Sequence, residues 1–230
     1  MSGNKSPRDA VGTTPADTAQ MEVWKGEFGR EYTDRNTFDV DAVDELYRRD
    51  YGITRTAINQ EFLGGISKGA SFLEVGCNTG NQLLLLQRMG FANLSGVELQ
   101  PYALEIARSR TRSISLAQGS ALGLPHGDAS FDVVFTSRVL IHIAPDDLPR
   151  VMDEIHRCAR SYIWGLEYYA PDVTEVNYRN HSKLLWKLDY AQQYLKRFED
   201  LEIVRERHIP YVGGSNVDTV FLLRKKQGTA

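Results

Sequence analysis

Cysteine is scarce: 230 residues carry two, Cys77 and Cys158. A multi-disulfide secreted scaffold and a four-cysteine zinc site are therefore excluded. Long apolar runs are missing. The longest, Leu83–Leu86, falls far short of the roughly 20 residues that cross a bilayer. The N-terminus is polar and lacks the apolar core of a signal peptide. Charge of one sign is not in excess, with 27 Lys plus Arg against 30 Asp plus Glu and a net charge of -3. A basic footprint for nucleic acid is absent at the level of the whole chain. The five histidines, at 126, 142, 156, 181 and 208, join no Cys, Asp or Glu at metal-ligand spacing, so no metal is expected. What is present is ordinary: 42% hydrophobic and 25% charged residues, as in soluble globular proteins. The expectation is a soluble, cytoplasmic protein without membrane or nucleic-acid partners.

Residues 1–20 lack apolar periodicity and read as a disordered tail; residues 226–230 read as a polar C-terminal tail. One domain is expected over 21–225, the first part of it, about 21–66, forming an N-terminal lid. Within the domain, strand-like runs alternate with helical patterns. Strands are expected at 71–75, 94–99, 114–118, 131–136 and 162–168. Helices are expected at 79–89, from Pro101, and at 146–159. A long helix is expected from Leu184 to Phe198, on the spacing of Leu184, Leu185, Leu188, Ala191, Tyr194, Leu195 and Phe198. Two final strands, 202–208 and 217–223, have no helix between them. The pattern is α/β: a doubly wound, mostly parallel sheet covered on both faces, with an antiparallel last strand.

The informative turn is Glu74-Val75-Gly76-Cys77-Asn78-Thr79-Gly80, between the first strand and its helix. Ligands of such sheets bind beyond the carboxyl ends of the strands, and the helix N-terminus offers free N–H groups to an anion. Glu98 closes the second strand, where an acid accepts from ribose hydroxyls. A nucleoside-bearing ligand follows. A dinucleotide fingerprint needs a glycine where Asn78 stands, so that the backbone can approach a pyrophosphate. A ligand without phosphate has no such need, and S-adenosylmethionine is one. A nicotinamide-dependent oxidoreductase is thereby disfavoured. The competing reading is a tight turn and a solvated acid, and the two features in order weigh against it.

Here the chain resembles the class I S-adenosylmethionine-dependent methyltransferases. The segment Gln118-Gly119-Ser120-Ala121-Leu122-Gly123-Leu124-Pro125 looks like the one that frames adenine in that family. Phe131–Phe135 and then Val139–Ile143 look like its fourth strand and the helix after it. The resemblance covers about 70–165 and implies a seven-stranded Rossmann-like sheet. It also implies a cofactor set of Glu74, Gly76, Cys77, Asn78, Gly80, Glu98, Leu99, Gly119, Ser120, Ala121, Thr136 and Ser137. The family often has an acid where Ser120 stands. A closer resemblance, to the pseudaminic acid biosynthesis-associated methylases, lies in Trp24–Asn36 and in Glu167–Ala191. It suggests a sugar-like or small acidic acceptor.

Trp24, Phe28 and Tyr32, at i, i+4, i+8, suit a helix packed on the body, and also a lid that brings Tyr32 and Asn36 to the methionine end of the cofactor. The stretch after the fifth strand carries Tyr168, Tyr169, Tyr178, Arg179, His181 and Lys187, a polar and aromatic set suited to substrate. Arg179 is the candidate for an acceptor carboxylate or phosphate, because its planar fork matches such groups; a surface arginine in an ion pair is the plain alternative. His142 and His181 are the candidate bases for a hydroxyl or amine acceptor, although a backbone-bonded role suits His142 equally. Cys77 reads as a small neighbour of the turn rather than a nucleophile. The expected activity is methyl transfer to a small polar, anionic or sugar-like acceptor, with oxygen preferred. Transfer to the nitrogen of an amine or amino sugar is the alternative, as is a non-catalytic cofactor-binding partner subunit. Oligomeric state is left open.

Overall fold

The computed structural model describes residues 18–226. The expected tails fall largely outside the described residues, but the first helix begins earlier than expected. Thr18 caps it, its hydroxyl accepting from the Met21 N–H, and α1 runs over Ala19–Lys25.

Seven strands form one sheet: β1 (Ser71–Val75), β2 (Asn93–Glu98), β3 (Ser115–Gln118), β4 (Phe131–Ser137), β5 (Ala159–Tyr168), β8 (Leu201–Pro210) and β9 (Val217–Lys225). Their order is β3-β2-β1-β4-β5-β9-β8. The pairs among β1 to β5 are parallel, and β9 runs antiparallel to both β5 and β8. The seven-stranded mostly parallel sheet with one antiparallel strand is therefore present. The chain's direction reverses about β1, where β2 lies on one side and β4 on the other, and this places the ligand crevice beyond the ends of β1 and β4.

Alternation along the strands builds a core on each face. Leu73 and Val75 of β1 and Val134 of β4 pack with α7 (Leu148–Cys158) and α8 (Tyr190–Arg197). Phe72, Val133 and Phe135 point the other way, against α3 (Val40–Tyr51), α4 (Arg55–Leu63) and α5 (Asn81–Arg88). A further helix, α6 (Pro101–Arg110), has proline in its first turn and the Gln100 side chain as cap.

Three expectations change. The long helix from Leu184 is replaced by α8, which starts only at Tyr190, where the Asp189 side chain accepts from the Gln192 N–H as N-cap. Upstream, β7 (Trp186–Lys187) pairs with β6 (Thr174–Glu175) as a small hairpin, so Leu184, Leu185 and Leu188 are buried from non-helical chain. The helix after β4 is a single 3₁₀ turn, Leu140–His142. The aromatic N-terminal helix is two, α1 and α2 (Glu27–Arg35), broken at Gly26. Even so, Trp24 meets both Phe28 and Tyr32 edge-on, with centroids 5.2 Å away in each pair. The close approach of the two helices depends on Gly29, where a Cβ would lie 1.8 Å from the Trp24 carbonyl oxygen.

Candidate active site

The turn after β1 combines three left-handed residues, Gly76 (φ 72), Asn78 (φ 44) and Gly80 (φ 79). Asparagine tolerates that conformation better than most residues with a Cβ, which explains how Asn78 occupies a glycine's place. A Cβ on Gly76 would meet Val139 Cγ2 at 2.6 Å, so the turn is pressed against the segment after β4. From the second strand, Glu98 Oε2 accepts from the Asn78 N–H at 2.7 Å and Oε1 from the Gln100 N–H at 2.8 Å. Glu98 is buried. Burial raises its carboxyl above the usual range, against the pull of these N–H bonds. It is thus a tie between β2 and the glycine turn as well as a candidate ligand, which the reading of a free strand-end acid did not contain.

The turn, the end of β4 and the α1–α2 pair enclose a cavity of about 240 Å³. Thirteen of the expected residues line it: Tyr32, Asn36, Glu74, Gly76, Cys77, Asn78, Glu98, Leu99, Gly119, Ser120, Ala121, Ser137 and His142. Gly80 does not; it is the N-cap of α5. Thr136 does not; it is buried and gives its hydroxyl to Glu167. The Ser120 hydroxyl accepts from the Leu122 N–H at 3.1 Å and donates to Met21 Sδ at 3.7 Å, so α1 sits directly on the expected adenine segment.

The lid is fastened at several points. The Gln100 amide donates to the carbonyls of Trp24, Lys25 and Gly26, at 3.1, 2.8 and 3.2 Å. Asn78 Nδ2 donates to the Thr33 hydroxyl at 3.3 Å. Trp24 rests on His142 (centroids 4.5 Å), and Phe28 meets Tyr178 (6.0 Å) and His181 (5.1 Å).

That clasp accounts for much of the expected substrate set. Tyr168, Tyr169, Tyr178, Arg179, His181 and Lys187 are not among the cavity's lining residues. Tyr178 and His181 face each other across a two-residue turn and bear on the lid. Arg179 and Asn180 form the tip of that turn, both with positive φ (51 and 66), and both are exposed. The geometry of the turn holds Arg179 out toward solvent. Lys187 Nζ donates to Asn216 Oδ1 at 2.5 Å, and Tyr169 lies against His208, centroids 4.0 Å apart.

His142 does line the cavity. Its Nδ1 is 2.7 Å from the Leu184 carbonyl oxygen, so Nδ1 carries the proton and Nε2 the lone pair. Burial pushes its pKa down to about 4, against that hydrogen bond, and the ring is neutral at pH 7. His181 is exposed and outside the cavity.

Two arginines, the buried Arg55 and the half-buried Arg138, carry no signal in the sequence. Arg55 donates from Nε to Gln82 Oε1 (2.9 Å), from Nη1 to the Tyr47 hydroxyl (2.9 Å) and from Nη2 to the Ser137 hydroxyl (3.2 Å). Arg138 directly follows β4. Both line the cavity. No local pattern announces either, because their partners lie up to 87 residues away in sequence.

The cavity wall holds polar atoms with no protein partner: Glu74 Oε2, Asn78 Oδ1, Trp24 Nε1 and Arg138 Nε. Burial raises the Glu74 carboxyl well above its ordinary value, against the nearby Arg55 charge. Two orphaned acceptors at the glycine turn suit a cationic or hydroxyl-bearing ligand, since leaving such groups unpaired is costly. Among the described residues no group of three or more His, Cys, Asp or Glu can hold a metal ion, and no helix is long and apolar enough to cross a membrane.

Comparison with known proteins gives the same picture. Residues 73–162 match a methyltransferase domain family. The methyltransferase GfsG of Streptomyces halstedii is 34% identical over 101 residues, which are 41% of this chain and 36% of that protein. The malonyl-[acyl-carrier protein] O-methyltransferase of Serratia marcescens is 29% identical over 98 residues, 43% of this chain and 37% of that protein. The chain thus spans well under half the length of these relatives. Among solved structures, the 1,6-didemethyltoxoflavin-N1-methyltransferase of Burkholderia thailandensis, with bound 1,6-didemethyltoxoflavin and S-adenosylhomocysteine, superposes with a TM-score of 0.67 over 94% of each chain at 18% identity. The fold is shared. The domain match stops short of 24–36 and 167–191, the segments that carry the closer resemblance.

Proposed function

We propose that the chain is an S-adenosylmethionine-dependent methyltransferase that acts on a small, anionic, sugar-like acceptor, at oxygen. The observation that carries the reading is the pairing of Glu98 with the left-handed Gly76–Gly80 turn under a lid, with acceptors orphaned at Glu74 and Asn78. These residues fit the ligand. Glu98 and Leu99 would hold the ribose, Gly119, Ser120 and Ala121 the adenine, and the turn with Glu74 the amino-acid end. S-adenosylmethionine, when bound, supplies an electrophilic methyl group on a sulfonium.

The chain's own part is alignment and exclusion of water. Trp24 and Tyr32 close the cavity over the turn and offer aromatic faces to a cation. Neutral His142, with its lone pair on Nε2, would take the proton of a hydroxyl acceptor; a carboxylate acceptor needs no base. The resemblance of 24–36 and 167–191 to the pseudaminic acid-associated methylases supports the sugar-like class, and the O-methyltransferase among the relatives supports oxygen.

Calorimetric titration tests the reading. S-adenosylhomocysteine should bind and raise the melting temperature by mass action. Binding of NAD, with no heat from S-adenosylhomocysteine, would refute it.

A further inference from the structure

Arg138 stands at an unusual place. It is the first residue after β4, at the crevice end of the sheet, and its φ is 58. A left-handed conformation costs a residue with a Cβ about 1 kcal/mol or more. Its backbone N–H donates to the Leu166 carbonyl at 2.8 Å. The side chain is thereby directed among Tyr47, Tyr51 and Tyr168, with the guanidinium carbon 5.3, 5.7 and 5.6 Å from their ring centres. Nη2 is fixed: it meets Asp218 Oδ2 at 3.1 Å, the Tyr211 hydroxyl at 3.5 Å and the Tyr51 hydroxyl. Asp218 Oδ2 accepts from the Tyr51 hydroxyl as well, at 2.8 Å. Nε is buried and has no partner.

The guanidinium is therefore held through Nη2 alone: among the described residues, Nε–H in the cavity wall is unpaired, and Nη1 donates to no protein atom. Arg55 differs, because each of its three nitrogens already donates to a protein oxygen. Orphaned acceptors mark the glycine-turn end of the cavity, and an orphaned arginine donor marks the β4 end. The first suits the donor of the methyl group, and the second suits an anion.

We infer that Arg138 seats the acceptor's oxyanion, a carboxylate or phosphate ester carried by a small hydroxylated molecule, between Tyr47 and the end of β4. The inference rests on the methyltransferase reading and deepens it. The position assigned to Arg179 from sequence passes to Arg138. The anion takes a guanidinium N–H not committed to Asp218, which a lysine, with its single nitrogen, cannot offer while it also keeps Asp218. Asp218 and Tyr51 do not touch the anion; they position the fork. The bare alternative is an ion pair that only staples β4 to β9.

The test uses the full chain labelled with ¹⁵N at arginine Nε. Calorimetry first establishes saturation with S-adenosylhomocysteine; no binding at this step overturns the methyltransferase reading and the acceptor role together. The saturated protein is then titrated with glucuronate, glucose 6-phosphate and glucose. The Arg138 Nε–H signal, identified by its loss in Arg138→Lys, should shift saturably with one or both anions, which tells carboxylate from phosphate, and stay still with glucose. Ligand-observed titrations should show anion affinity at least tenfold weaker in Arg138→Lys. Arg138→Met combined with Asp218→Asn leaves no unpaired buried charge and should lose the preference for anions over glucose. An unmoved Nε signal, equal binding of all three probes, or parental anion affinity in either variant would leave only the staple.

Discussion

Replacement of Glu98 by glutamine separates its two roles. The carboxylate accepts from the N–H groups of Asn78 and Gln100 at 2.7 and 2.8 Å. Glutamine keeps the shape but turns an NH₂ toward one of these donors, so the free protein loses a charge-assisted hydrogen bond worth about 1.5–3 kcal/mol. For a chain of this size each kcal/mol moves the melting temperature by about 2–4 °C. The unliganded variant should therefore melt about 3–12 °C below the parent. Loss of the ribose contact is a second cost, and a tenfold weaker dissociation constant is its lower bound. With S-adenosylhomocysteine at about 100 times the parental dissociation constant, the parent gains about 2.7 kcal/mol. At the same concentration a tenfold weaker variant gains about 1.4 kcal/mol. The ligand-induced rise in melting temperature should thus be about halved, independently of the lower starting point. Calorimetry on the folded variant gives the same ratio directly. Parental affinity in Glu98→Gln, with the expected drop in unliganded melting temperature, would reduce Glu98 to a tie between β2 and the turn.

Three further outcomes are expected of the buried groups and of the lid. His142, neutral down to about pH 4, should leave kcat/KM without an inflection of its own near pH 6.5, and stability from its buried neutral form should be lost only as pH falls from about 6.5 toward 4. Glu167 has the opposite sign. Burial raises it to about 7, against hydrogen bonds from Thr136 and the N–H groups of Val139, Leu140 and Ile141. The folded state then binds the extra proton between the ordinary glutamate range and 7, so stability should fall by about 3 kcal/mol as pH rises through that window. Denaturant titrations of Glu167→Gln should show that slope flattened, and an unchanged slope would refute the assignment. Gly29→Ala puts a methyl against the Trp24 carbonyl; it should cost about 1–3 kcal/mol and weaken S-adenosylhomocysteine binding through the lid, and calorimetry that finds parental affinity would show that the α1–α2 contact does not govern the cavity.

The sheet was legible because each strand carries its own signal. Phe72–Val75, interrupted only by Glu74, and Val133–Phe135 are short apolar stretches, and the segment from Glu202 to Leu223 holds no helical pattern. The cofactor side was legible for a related reason: Gly76, Asn78 and Gly80 lie in one turn, and Glu98 is fixed by its place at a strand end. The acceptor side was not. Arg138 finds Asp218 and Tyr51 only after β9 and α3 are docked, and no spacing along the chain encodes that meeting. The leucines at 184, 185 and 188 keep a helical period while serving as buried residues of non-helical chain, since burial alone does not fix the backbone. Arg179 invited a functional reading by its composition, and the two positive φ angles of its turn carry it outward.

The strand order has a consequence for how the molecule is made. β9 follows every other strand in the sequence, yet it lies inside the sheet between β5 and β8. During synthesis, the parallel layer from β3 to β5 can assemble while β5 still presents a free edge, a row of unpaired N–H and C=O groups open to a neighbouring chain. That edge is closed only when Val217–Lys225 leaves the ribosome. The same strand delivers Asp218, without which the half-buried Arg138 guanidinium would lack its counter-ion. A chain that stalls before Val217 would thus be adhesive and unable to complete the β4 end of its cavity.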